Sequence, residues 1–137
     1  MLRSTLLLSL LVALGTAAAR QPNIVVIIAD DMGFSDIGCY GGEIPTPHID
    51  ALAKGGLRFT NYYVNNMCLV TRASLMTGNY PETAKPGAIL NKNCVTLPEL
   101  LHKSGYTTLM AGKWHLGHHA RAGAGSPNDR GFDHWYG

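Results

Sequence analysis

The sequence predicts an α/β fold in which helices flank a mainly parallel sheet, and three observations carry that expectation. Ile24-Val25-Val26-Ile27-Ile28-Ala29 is an unbroken apolar, β-branched run, the pattern of a strand buried on both faces rather than an alternating edge strand. Strand and helix signals then alternate in the order strand, helix, strand, helix, helix, strand, which calls for right-handed crossovers between parallel strands. Each helix signal also brings its own start and stop residues.

The elements follow in order. The first strand ends at Asp30-Asp31. Thr46 offers an N-cap with Pro47 at the first helical position; Ile49, Leu52 and Ala53 share one face, and Gly55-Gly56 stops the helix. A second strand is expected over roughly Leu57 to Val64. The loop Asn65-Asn66-Met67 delivers Cys68 at or near the start of a short helix, Thr71 to Thr77, closed by Gly78. Asn79 to Asn93 is rich in Pro, Gly and Asn and reads as a surface loop. Thr96-Leu97-Pro98-Glu99 is a capping box for a helix reaching about Lys103, with Gly105 after it. Tyr106 to Ala111 is the third strand, and it runs into Gly112-Lys113-Trp114-His115-Leu116-Gly117.

The ends and the composition narrow the function. Met1 to Ala19 carries one charge, Arg3, ahead of a Leu/Val/Ala run closing on Ala17-Ala18-Ala19, the form of a secretory signal peptide. Its apolar stretch, Leu6 to Leu14, is far short of the roughly 20 residues that cross a bilayer, so no membrane span is expected. The remaining residues, 20–137, hold ten Lys/Arg against nine Asp/Glu, a balance that gives no reason to expect nucleic acid as a partner. They form one expected domain portion at the small end for an α/β enzyme, so the sheet is expected to be incomplete, with Val25, Ile27 and Leu109 partly exposed. Cys39, Cys68 and Cys94 form no CxxC pair, and at least one must stay unpaired.

In parallel sheets ligands bind beyond the carboxyl ends of the strands, and this reading sets Asp30/Asp31, Cys68 and Lys113/His115 just past three such ends. Adjacent carboxylates repel unless a cation or donors offset them, and hard divalent ions prefer such oxygens; an N-cap followed by a solvated Asp is the plainer alternative. Arg72, four residues after Cys68, would lie one helical turn along, so that it and the helix N-terminus favour negative charge at position 68. An inert buried cysteine with Arg72 in a surface pair fits that spacing equally. Lys113 and His115 alternate on an extended segment, pointing to one side while Trp114 packs on the other, a fixed cation and a titratable donor suited to an oxyanion. His118 and His119 read as solvated loop residues, and His48 and His102 as ordinary helix residues.

Together these segments resemble the sulfatases of the alkaline-phosphatase-like superfamily. The resemblance runs through Pro22 to Asp31, Gly33 and Asp36 with Tyr40-Gly41, and Thr46 to Ala53. It continues through Cys68-Leu69-Val70-Thr71-Arg72-Ala73-Ser74-Leu75-Met76-Thr77-Gly78, Gly112 to Gly117 and Arg130-Gly131-Phe132-Asp133. It implies hydrolysis of sulfate esters by a secreted, periplasmic or lysosomal enzyme whose cysteine, here Cys68, is oxidised to formylglycine by a dedicated formylglycine-generating enzyme. It further implies that Asp30, Asp31 and the modified Cys68 bind a divalent ion, usually Ca²⁺, otherwise Mg²⁺. Arg72 would orient the formylglycine hydrate, while Lys113 and His115 bind sulfate and assist the departing oxygen. Cys68 is then expected outside any disulfide, leaving Cys39 and Cys94 as the pair able to bridge.

Two departures from the family pattern stand out. Val70 occupies the position where the family usually carries Pro, sometimes Ala, and the family's remaining metal ligands, with a further Lys and His, come from sequence beyond residue 137. Residues 20–137 alone are therefore expected to be inactive. A related phosphatase or phosphonate hydrolase is the first alternative, disfavoured by Cys at position 68; a non-catalytic paralogue binding sulfated glycans through Arg72, Lys113 and His115 is the second.

Overall fold

The computed structural model describes residues 20–84, 90–117 and 125–137. Two short 3₁₀ helices, Phe34–Asp36 and Gly38–Tyr40, precede helices α1 (Pro47–Gly55), α2 (Cys68–Thr77), α3 (Pro81–Ala84) and α4 (Leu97–Lys103). Strand β1 (Leu109–Ala111), a 3₁₀ helix at Asn128–Arg130 and strand β2 (His134–Tyr136) follow. The strands pair in parallel, Leu109 opposite His134, Met110 opposite Trp135 and Ala111 opposite Tyr136. The architecture is a small parallel sheet flanked by helices, the fold class read from the sequence.

Local chemistry accounts for the helices. Pro47 opens α1, but Thr46 does not cap it: the Thr46 hydroxyl donates to Asp50 Oδ1 at 2.9 Å and accepts from the Gly38 N–H at 2.8 Å. Asp50 Oδ1 also accepts from the Cys39 N–H at 2.8 Å, so these residues tie α1 to the preceding 3₁₀ helix. Helix α2 begins three residues earlier than the apolar pattern suggests and ends on Gly78, whose left-handed backbone (φ 67°) lets its N–H reach the Ser74 carbonyl. The capping box of α4 forms in full, the Glu99 N–H donating to Thr96 Oγ1 at 3.3 Å and the Thr96 N–H to Glu99 Oε2 at 2.8 Å.

Thr96 is fully buried, and its hydroxyl also donates to the Arg130 carbonyl at 2.8 Å, which fastens α4 to the turn before β2. Gly131 completes this junction. Its φ is 93°, and a Cβ there would lie 2.5 Å from the Glu99 nitrogen. Thr96→Ala removes the cap and leaves the Arg130 carbonyl without that donor, an expected loss of about 2 kcal/mol measurable by urea denaturation. An unchanged midpoint would mean that the junction is held elsewhere.

The core gathers Ala73 of α2, Ala84 of α3, Leu90, Trp114 and Leu116, with Met76, Met110 and Phe132 against it. Trp114 meets Phe132 edge-on at 6.1 Å and donates its Nε1–H to the Gly125 carbonyl at 2.8 Å.

Several expectations need correction. Residues 24–29 form no strand. A continuous apolar run signals burial, whereas a strand also needs a neighbour in hydrogen-bonding register. Here Ile24, Val26 and Ile28 line a cavity of about 440 Å³ shared with Tyr106–Ala111 yet stay exposed themselves, less so than Val25 (80%) and Ile27 (81%), and Leu109 is exposed as well. Residues 57–64 are not a strand either: the rings of Phe59 and Tyr62 lie 5.9 Å apart, whereas residues three apart on a strand face opposite sides about 10 Å apart. The chain bends at Thr60 and Asn61 between them. The expected loop at Asn79–Asn93 contains α3, opened by Pro81 at a position where its missing N–H costs nothing. Cys39, Cys68 and Cys94 are all free thiols: Cys68 stands outside any disulfide, as expected, and Cys39 and Cys94, which no sequence signal places within bridging distance, do not pair. Cys39 is held beside Asp50, and Cys94 Sγ lies 3.6 Å from the Thr83 carbonyl. The signal segment and His118 and His119 lie outside the described residues. Among the described residues no helix is long and apolar enough to cross a membrane.

Candidate active site

Cys68 is the first residue of α2, and no side chain caps that helix end, so the amides of its first turn point outward beside the thiol. Two side chains from the Gly112–Gly117 loop meet the sulfur: Lys113 Nζ at 3.4 Å and His115 Nδ1 at 3.5 Å. The anticipated division of this loop holds, with Lys113 and His115 on the site and Trp114 in the core. The backbone is not simply extended, however. Gly112 (φ 103°) and His115 (φ 61°) are both left-handed, and these two turns, rather than pleat alternation, bring the side chains together.

The loop is held from two sides. From the sheet, the Gly112 N–H donates to the Tyr136 carbonyl at 2.7 Å, and Trp135 Nε1–H donates to the Gly112 carbonyl at 3.2 Å. From α2, Arg72 Nη1–H donates to the Lys113 carbonyl at 2.6 Å. The Arg72 guanidinium is buried, and its Nε has no hydrogen-bond partner.

Asp30 joins the cluster from the segment after residues 24–29. Its Oδ2 accepts from Lys113 Nζ at 2.8 Å, and its Oδ1 lies 3.6 Å from Arg72 Nη2. Lys113 above all, with Arg72, holds the Asp30 carboxyl below the usual carboxylate range, and Asp30, then Cys68, holds the Lys113 ammonium above the usual lysine range. The signs agree. A depressed acid contributes stability above its unfolded pKa and loses it as pH falls through the folded value; a raised base contributes below its unfolded pKa and loses it as pH rises through the folded value. The pair is therefore ionised throughout the neutral range.

Asp31 follows with a left-handed backbone (φ 58°). It and His115 are the non-glycine residues with positive φ among the described residues, a strained geometry that concentrates at functional sites and that Asp tolerates better than most.

Thus Asp30, Cys68, Arg72, Lys113 and His115, spread over 86 positions of sequence, share one cluster, with Asp31 adjacent to Asp30. The Asp30–Lys113 pairing has no signal in the sequence beyond opposite charge. His102 is not part of the cluster; it pairs with Asp133 at 3.2 Å. Asp133 is itself held below the usual range, chiefly by the Thr108 N–H at 2.7 Å.

The donor chemistry of Asp30 and Asp31 suits a hard divalent cation, since carboxylate oxygens are its preferred ligands; the Cys68 sulfur does not, and oxygen in its place would. Among the described residues no group of three or more His, Cys, Asp and Glu side chains forms a complete metal site.

Residues 22–137 match the family model described as Sulfatase. The chain is 43% identical to the arylsulfatase of Klebsiella aerogenes over 92% of this chain and 30% of that protein. It is 46% identical to human arylsulfatase A over 94% of this chain and 28% of that one. A crystal structure of Ps i-CgsB in complex with k-i-k-neocarrahexaose resembles it with a TM-score of 0.77 at 36% identity, over 85% of this chain and 28% of that one. The chain thus spans about 30% of the length of the curated relatives it matches.

Proposed function

The chain belongs to the sulfatase family, and on that premise we propose that the protein hydrolyses sulfate esters at the cluster around residue 68. The observation that carries this reading is the convergence on Cys68, at an uncapped helix start, of Lys113 Nζ at 3.4 Å and His115 Nδ1 at 3.5 Å. An anion with several equivalent oxygens needs such a ring of fixed donors around the attacking atom.

In this proposal a formylglycine-generating enzyme, using an external oxidant, converts Cys68 to formylglycine, which adds water to give a geminal diol; one hydroxyl attacks sulfur as the sulfur–oxygen bond to the alcohol breaks, and the other then loses its proton and expels sulfate, restoring the aldehyde. Arg72 orients that group: its guanidinium is buried, fixed on the Lys113 carbonyl, and retains an unused Nε–H. Lys113 stays cationic across the neutral range and neutralises a sulfate oxygen. His115, whose Nδ1 lies 3.5 Å from Cys68 Sγ, donates a proton to the departing ester oxygen. Asp30 and Asp31, with an oxygen on residue 68, would hold Ca²⁺ or Mg²⁺, which supplies Lewis-acid stabilisation of charge on sulfate oxygens. Residues 1–19 act as the export signal, consistent with an extracytoplasmic sulfatase, and residues 20–137 belong to the catalytic domain.

Mass spectrometry of the peptide containing Cys68 tests conversion, and hydrolysis of a chromogenic aryl sulfate by the intact protein tests the reaction. Lys113→Ala is expected to lower kcat/KM about 100-fold, because it removes charge stabilisation in the transition state, while leaving the denaturation midpoint nearly unchanged, because the side chain is 43% exposed. A variant that melts early yet turns over normally would reassign Lys113 as a structural residue.

A further inference from the structure

Both oxygens of Asp30 face cations, Oδ2 the Lys113 ammonium at 2.8 Å and Oδ1 Arg72 at 3.6 Å. The two cations are not equivalent. Arg72 is buried and anchored on the Lys113 carbonyl at 2.6 Å, whereas the Lys113 side chain is part-exposed, and its ammonium sits between two acceptors, Asp30 Oδ2 and Cys68 Sγ at 3.4 Å. A divalent ion drawn to Asp30 meets the Lys113 charge on the same carboxylate. A sulfate dianion at residue 68 offers that ammonium a stronger partner within reach of its flexible stem.

We infer that Lys113 is a shuttle cation exchanging between Asp30 and bound sulfate, so that sulfate and the divalent ion strengthen each other's binding through this one ammonium. The inference rests on the proposed assignment of Asp30 to the metal and of residue 68 to sulfate. Linkage makes the effect reciprocal: whatever factor sulfate adds to metal affinity, the metal adds to sulfate affinity. Removing Lys113 should therefore do two things. It should free Asp30 for the metal in the absence of sulfate, and it should reduce the coupling between the two ligands to their direct attraction. Simple attraction between a cation and an anion would survive the substitution, because Arg72 and both ligands remain.

Calorimetric titration of the intact protein with Ca²⁺, with and without saturating inorganic sulfate, reads this directly. Sulfate is expected to tighten Ca²⁺ binding about tenfold in the native protein and only about threefold in Lys113→Gln, where direct attraction between the two ligands is all that remains. Without sulfate, Lys113→Gln is expected to bind Ca²⁺ more tightly than the native protein. An equal sulfate effect in both proteins, or weaker Ca²⁺ binding by Lys113→Gln alone, overturns the shuttle and leaves the metal assignment standing. Absence of any Ca²⁺ binding abolished by Asp30→Asn removes the metal assignment and the shuttle with it. Labelling of Lys113 in the native protein by an amine-acylating reagent, quantified by mass spectrometry, tests the same motion without a variant. Ca²⁺ alone should speed the labelling and added sulfate should slow it again, and a rate indifferent to both ligands refutes the exchange.

Discussion

Cys68→Ala is expected to lower sulfate-ester turnover by about 10⁴-fold or more, the largest kinetic effect of any single substitution in the cluster. The residue is proposed as the nucleophile after conversion, and no neighbour offers a replacement: Lys113 and His115 point at the position without occupying it. Stability should hardly change. Cys68 is half-buried at the first turn of α2, forms no disulfide, and alanine is a good helix former. Cys68→Ser separates the chemistry further, since a serine hydroxyl can take up sulfate but lacks the second hydroxyl that would expel it. A stoichiometric burst of alcohol product followed by arrest is therefore expected of Cys68→Ser. Steady turnover by Cys68→Ala at more than about a hundredth of the native rate would remove residue 68 from the nucleophile role.

How much of this could be seen in the sequence depends on how far apart the interacting residues lie. The ends of α1, α2 and α4 were legible because caps act within four positions: Pro47 at a helix start, Gly78 in a left-handed stop, Thr96 with Glu99 in a reciprocal box. The sequence puts Cys68 at or near the start of α2, as the structure does, but the helical pattern becomes legible only from Thr71, because Cys68, Leu69 and Val70 bring no polar cap, and the absence of a cap is itself what leaves the helix end open at the site. Strand pairing is a property of two distant segments. Residues 24–29 have the composition of a buried strand, yet among the described residues only β1 and β2, 25 positions apart, find each other in register. The site residues were legible by type, since carboxylates, a cysteine with Arg72 one turn on, and Lys113 with His115 are unusual company. Their mutual geometry was not. The bond from Lys113 to Asp30 spans 83 positions, and although Asp31 and His115 stand out by type, nothing in their spacing announces their left-handed backbone.

The largest expected loss of stability belongs to Arg130, well away from Cys68 in the chain. Its guanidinium is buried, with Nη1–H donating to the Asn91 carbonyl at 3.1 Å, Nη2–H donating to the Cys94 carbonyl, and Nε 3.2 Å from Glu99 Oε1. Its own carbonyl accepts from Thr96, so one residue joins the segment before α4, the first turn of α4 and the turn entering β2. Arg130→Ala takes the guanidinium donor from the Cys94 carbonyl, leaves the Asn91 carbonyl with the Cys94 N–H alone and the Glu99 carboxylate with the Thr96 N–H alone, and opens a void among them, which should cost about 3 kcal/mol, a large share of the stability of an ordinary domain. Arg130→Lys keeps a positive charge for Glu99 but cannot present a planar fork to three acceptors at once, and it should recover less than half of that loss. Because β2 holds Gly112 in place, the loosened variant should also bind sulfate more weakly under conditions where it remains folded. Urea denaturation of the intact protein, followed by tryptophan fluorescence, measures the first effect. A midpoint displaced by less than about 1 kcal/mol for Arg130→Ala would show that the backbone junction at Thr96 and Gly131 holds these segments without the guanidinium.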